Sequence, residues 1–285
     1  MIYILYLLTV VFSRTESTFG KFNGRKSGSP IVFNLAKTFT ALVLSLLICA
    51  FMGLKLHDTT VWLSAIYGVS MAVSMYAGLM ALATGSMAIA SVLASFSLII
   101  PVGYGLIFLD ERLSVFGIIG LTLLPIAIIM LNLKKGGGEI TPLCWFFSIL
   151  TLIANGICSV IQKEHQTRFP GQYKAEFMVY GMAVAFVLFL IIGLFTRNDG
   201  QKERRDVLKS SYNFGLLAGA CNCGANFLTL YLAAAENASI LFPILSAANA
   251  IVACLVGRFV FKEKLTALQI ISIGLGIASV VMLKI

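Results

Sequence analysis

Three charged side chains interrupt apolar stretches near the start of this sequence: Arg14, Glu16 and Lys37. Charge in a bilayer core is costly, so an ionisable residue there is first of all a candidate ligand, ion or proton site. Arg14 and Glu16 stand two residues apart, on nearly opposite helix faces, and do not neutralise one another along the helix. Glu16 can reach Lys37 on a neighbouring helix, leaving Arg14 to hold an anionic solute group. In the alternative, Glu16 is a carboxylate that takes up and releases a coupling proton. A salt bridge that merely locks the first two spans together is the competing structural reading.

The elements that must position these residues follow from composition. The 285 residues are 59% hydrophobic and only 12% charged, with mean hydropathy +0.95. Soluble domains carry about 25% charged residues. The apolar residues fall in runs of about twenty, long enough to cross a ~30 Å hydrocarbon core. Ten spans are expected, at about 2–22, 30–53, 60–82, 86–108, 113–133, 142–163, 175–195, 211–234, 238–261 and 266–284. The predicted fold class is an all-α membrane protein. Alternating patterns with girdle aromatics are missing, which argues against a β-barrel. The first span lacks a basic leader and reads as retained.

The short loops orient the chain. Lys21, Arg25, Lys26, Lys134, Lys135, Arg197, Lys202, Arg204, Arg205, Lys209, Arg258, Lys262 and Lys264 fall in loops on one side, thirteen against six on the other, Lys55, Arg112, Lys163, Arg168, Lys174 and Lys284. The positive-inside rule places the thirteen in the cytoplasm and both termini outside, most simply in a plasma membrane. The net charge of +9 is thus mostly a topology signal and does not imply nucleic acid.

The chain also repeats itself. Asp110-Glu111-Arg112-Leu113-Ser114, opening the fifth span, matches Lys262-Glu263-Lys264-Leu265-Thr266, opening the tenth. The stretches that follow end in Met130-Leu131 and Met282-Leu283 at the same offset. Two five-helix units are expected, 1–134 and 142–285, joined by a glycine-rich linker at 135–141 that holds Gly136-Gly137-Gly138. An odd helix number per unit inverts the second copy, an arrangement of secondary transporters with a midplane solute site.

At the offset of the glutamate motifs, Ser70 and Ser74 fall on Asn222 and Asn226, each pair spaced i, i+4 on one helix face. Ser97 falls on Asn249, and the Lys21/Lys163 match sets Ser13 on Asn155. Lipid offers such groups no hydrogen bond, so they face protein or water. Ser70, Ser74, Asn155, Asn222, Asn226 and Asn249 are therefore candidate solute ligands, with glue between helices as the structural alternative. Tyr76, Tyr231 and Gln162 are weaker candidates.

With these spans, the five-plus-five repeat and the paired motif, the sequence resembles the EamA branch of the drug/metabolite transporter superfamily over nearly its whole length. Pro30 followed by Lys37 fits that family's basic residue early in the second helix. The family's Gly-Glu-Arg appears here as Asp110-Glu111-Arg112 and Lys262-Glu263-Lys264, without the glycine in either half. The resemblance implies export of a small metabolite or drug by alternating access, around a cavity lined by spans one, three, four, six, eight and nine. Small multidrug resistance proteins, relatives of one half, carry a glutamate upstream of a Lys-Phe pair. Aligned on Lys21-Phe22, that position is Ser13, with Glu16 nearly one turn later.

Gly215 and Gly219 form a GxxxG packing pattern, and Pro101 and Pro125 lie inside spans. The six cysteines show no disulfide or zinc spacing. His57 and His165 read as loop residues. No P-loop, GxSxG or HExxH is present, so neither ATP drive nor enzymatic chemistry is expected. Arg14 and Lys37, as candidate solute ligands, point to an anionic or zwitterionic solute, and the expected function is secondary transport of a small polar solute such as an amino acid. No cofactor is expected beyond a coupling ion, H+ or Na+. The expected partners are the solute and the lipid bilayer, with no nucleic acid, in a monomer or homodimer. Proton-coupled efflux of lipophilic cations through Glu16 is one alternative; a non-transporting membrane sensor or assembly subunit is another.

Overall fold

In a computed structural model, residues 2–26, 28–53, 55, 57–84, 87–132, 141–196, 205–260, 262 and 266–285 are described. Among them there are helices and no strands: α1 Ile2–Arg25, α2 Pro30–Met52, α3 Asp58–Thr84, α4 Met87–Ser95, α5 Ile99–Phe108, α6 Val115–Asn132, α7 Pro142–Arg168, α8 Lys174–Thr196, α9 Arg205–Ala235, α10 Ala238–Phe259 and α11 Ala267–Lys284. A 3-10 turn, Phe96–Leu98, joins α4 to α5. Eight of the described helical stretches are long and apolar enough to cross a membrane, and Val115–Leu131 is a shorter apolar one. Arg14, Glu16, Lys21 and Arg25 make α1 more polar than that set. The protein is an integral, multi-pass membrane protein.

The element ends follow local chemistry. Pro30 opens α2 at its first helical position, where a missing N–H costs nothing. The 3-10 turn precedes Pro101 by one turn. Proline has no N–H, so the carbonyl of Ser97 loses its helical donor, and the tighter turn forms there. The expected fourth span still runs through as one apolar stretch, Ala90–Phe108, with the helix tightened locally at the turn. The weak boundary at Glu236-Asn237 does separate two helices, α9 and α10. Gly85 and Ser86, at the other weak boundary, lie outside the described residues, as do linker residues 135–140 and Lys134, Arg197, Lys202, Arg204, Glu263, Lys264 and Leu265.

The repeated motif now has a physical basis. Asp110 and Lys262 both have positive φ, 51° and 56°, the left-handed region that glycine enters without penalty. They stand where the resembled family has its glycine. Ser114 Oγ accepts from Gly117 N at 3.0 Å at the start of α6. Thr266 forms a capping box with Gln269 at the start of α11. The two motif copies thus perform the same local tasks, a left-handed turn followed by a helix cap.

The chain divides into two compact units, Met1–Ala72 with Glu164–Ala234, and Val73–Lys163 with Ala235–Ile285. The division falls inside α3 and α7, so each unit draws on both halves of the sequence. In the first, α2 packs on α8, and small residues let backbones approach. A Cβ at Gly215 would lie 2.6 Å from Ala36 Cβ, and one at Gly219 would collide with the carbonyl of Lys37. The GxxxG pattern therefore seats α9 on α2. The first unit also has an apolar cavity of about 440 Å3, bordered by Leu8, Phe12, Leu44, Ile48, Cys223 and Phe227. In the second unit, α6 packs on α11, and α10 on α5 and α11, around Leu98, Val102, Leu124, Ile128 and Ala247. A Cβ at Gly120 would lie 2.7 Å from the Ser279 carbonyl, and Ser279 Oγ donates to Gly120 O at 2.7 Å.

Candidate functional site

The first unit assembles a polar network from four helices. Lys37 Nζ on α2 donates to Glu16 Oε1 on α1 at 2.9 Å. Asn222 Nδ2 on α9 donates to the other carboxylate oxygen at 3.1 Å. Asn226, one turn along α9, donates from Nδ2 to the Asn222 carbonyl at 3.0 Å. Its Oδ1 accepts from the Tyr67 hydroxyl on α3 at 2.8 Å. Glu16 and Lys37 side chains are 20% and 9% exposed, and Asn222 is buried.

Local packing explains the meeting. Gly219 presses on the Lys37 carbonyl, and Asn222 follows three residues later, on the same side of α9. The glycine contact thus brings the amide to the lysine's carboxylate partner. Asn222 Oδ1 is buried and receives no hydrogen bond. An unmet buried acceptor costs about 1–3 kcal/mol. The amide orientation is fixed, because only Nδ2 can donate to Glu16.

The other candidates distribute as follows. Arg14 is half-buried on α1 in the same unit and makes interactions of its own. Ser70 is buried on α3, one turn from Tyr67. In the second unit, Ser74 Oγ donates to Asn155 Oδ1 at 2.7 Å, joining two residues that separate repeat matches had singled out. Asn249 lies half-buried on α10 in that unit and also has partners.

Two sequence readings need correction. Lys163 and His165 are not in a loop: α7 continues to Arg168, and both residues are buried. Lys163 Nζ donates to the Glu236 carbonyl at 2.6 Å and lies 3.8 Å from Glu111. Glu111 accepts from Ala238 N at 2.7 Å and from Ser239 N and Oγ at 2.8 and 2.7 Å. The motif glutamate thus caps the start of α10, where the helix dipole favours an anion. Lys284 holds Glu236 at 2.7 Å, completing a charged cluster in the second unit. In the first unit, His165 bonds to Thr60 at 3.2 Å and to Gln166 at 2.9 Å.

Tyr67 is a network residue that sequence reasoning missed. Its one signal is position: it precedes Ser70 by three residues and therefore shares its helix face. Among the described residues, no three His, Cys, Asp or Glu side chains group to hold a metal.

A family match makes this multi-pass membrane protein a transporter of the drug/metabolite type. The chain belongs to the EamA-like transporter family, whose sequence profile matches residues 143–285. A solved crystal structure shares 16% identity and a TM-score of 0.76, covering 99% of this chain and 98% of its own. Twenty-eight solved chains match in all. At that identity the likeness shows the fold. No curated protein matches by sequence.

Proposed function

We propose that this protein is a secondary active exporter of a small polar solute, anionic or zwitterionic, working by alternating access through ten spans in two inverted five-helix repeats. The observation that carries this reading is the Glu16–Lys37–Asn222 network: an ion pair and an amide held inside apolar helices of a transporter-family chain. Structure alone does not require charges there, since an apolar contact would pack the helices as well.

Glu16 is the coupling carboxylate, exchanging its proton as Lys37 and Asn222 release and regain it. Arg14 faces the solute's anionic group, and Asn226, Ser70, Ser74, Asn155 and Asn249 supply neutral contacts. Because Lys37 already satisfies the charge of Glu16, efflux of lipophilic cations is the weaker reading. Both termini lie outside, with the Lys- and Arg-rich loops in the cytoplasm.

A thermal-shift screen of the purified protein against amino acids, nucleotides, sugar phosphates and lipophilic cations tests the solute class, because ligands of the folded state raise its unfolding temperature. Stabilisation by anions or zwitterions is expected. A response confined to lipophilic cations would replace this reading with drug efflux.

A further inference from the structure

We infer that the solute carried by this protein presents an uncharged hydrogen-bond donor, a hydroxyl group, to Asn222 Oδ1. This rests on the transport reading above and narrows its solute class. Asn222 Nδ2 is committed to Glu16 Oε2 at 3.1 Å, so the amide cannot turn to hide its oxygen without breaking that bond. Oδ1 is consequently a buried acceptor with no donor, in a network where the other amide oxygen, on Asn226, is met by Tyr67 at 2.8 Å. A buried acceptor of this kind favours any ligand or state that supplies a donor.

The neighbouring charges select the donor's type. Glu16 already holds Lys37 at 2.9 Å, so its negative charge is cancelled nearby. An ammonium placed at Oδ1 would gain little from the carboxylate and would meet the field of Lys37. A hydroxyl brings a donor without a second positive charge. The acceptor is enclosed in this conformation, so the hydroxyl meets it when the network opens during the transport cycle.

Three probes differ at one carbon: lactate carries a hydroxyl, propanoate a hydrogen and alanine an ammonium. Ligand-dependent thermal shifts of the full-length protein are titrated with each at matched ionic strength. Lactate is expected to bind about fivefold or more tightly than propanoate, as one hydrogen bond relieving an unmet acceptor allows, and alanine no better than propanoate. Asn222→Leu removes the acceptor and should bring the lactate-to-propanoate ratio to about one. Asn222→Gln keeps both an amide donor for Glu16 and an amide oxygen, and should keep a lactate preference that Asn222→Leu loses. Equal responses to lactate and propanoate in the wild type, including no response to either, overturn the inference. So does an equal gain with alanine, or a lactate preference that survives in Asn222→Leu. Flux into proteoliposomes is measured in parallel. No flux above empty vesicles for any screened solute would sink the transport reading itself, whereas flux without a lactate preference overturns only the hydroxyl subsite.

Discussion

Replacing Lys37 by Met separates a structural ion pair from a working one. The pair spans 2.9 Å, with side chains 9% and 20% exposed. Removing one partner of a fully buried pair costs about 3–5 kcal/mol, because the remaining charge is stranded. Glu16 keeps its bond from Asn222 at 3.1 Å and some access to the surface, so Lys37→Met should cost nearer to about 2–3 kcal/mol. Converting Glu16 to Gln in that background removes the stranded charge and leaves an amide that still meets Asn222. Glu16→Gln alone leaves Lys37 without its counter-charge and should cost about 2 kcal/mol; the double variant should recover to within about 1 kcal/mol of wild type, for a coupling of about 3–4 kcal/mol. Unfolding of the four proteins in one detergent measures the cycle, and additive costs would refute the pairing. Flux then decides the role. A double variant as stable as wild type but inert in transport shows that the charges work in the cycle; one that transports normally, with unchanged pH dependence, shows that they only join α1 to α2.

Gly219→Ala places a methyl against the Lys37 carbonyl and should cost about 1–3 kcal/mol, lowering flux as Asn222 is pushed from Glu16; unchanged unfolding would show that α9 does not sit so close to α2. Lys262→Gly relieves a φ of 56° and should stabilise by up to about 1 kcal/mol, with Asp110→Gly gaining less because aspartate tolerates this region better; a loss of stability in both would contradict the left-handed turns. Glu111→Gln retains one acceptor but forfeits the charge that holds Ala238 N, Ser239 N and Ser239 Oγ. It should destabilise by about 2 kcal/mol, and an unchanged melting temperature would remove its capping role.

Much of this arrangement was legible in the residues themselves. Glu16 and Lys37 stood out because hydrocarbon tolerates charge poorly, and their partnership followed from placing neighbouring spans side by side. Asn222 and Asn226 stood out because an i, i+4 polar pair marks one face. Lys163 and His165 misled because a run of polar residues reads as the end of a span. Their burial depends on partners far along the chain, Glu236 and Thr60, that no local pattern reveals. Tyr67 was hidden for a related reason: its ring packs on Phe177 with centroids 5.1 Å apart, and only its hydroxyl reports on the network. The motif at Asp110 and Lys262 was visible as a repeat, yet its meaning needed backbone angles. A left-handed turn can be filled by Asp or Lys at modest cost, so residue types alone did not reveal it.

The most direct test of the central claim is uptake by proteoliposomes under an imposed pH gradient, comparing wild type with Glu16→Gln for a solute that stabilises both. Wild-type protein should accumulate that solute in proportion to the gradient, and Glu16→Gln should carry it only by exchange, indifferent to pH. Accumulation by Glu16→Gln that follows the gradient as wild type does would contradict Glu16 as the coupling residue.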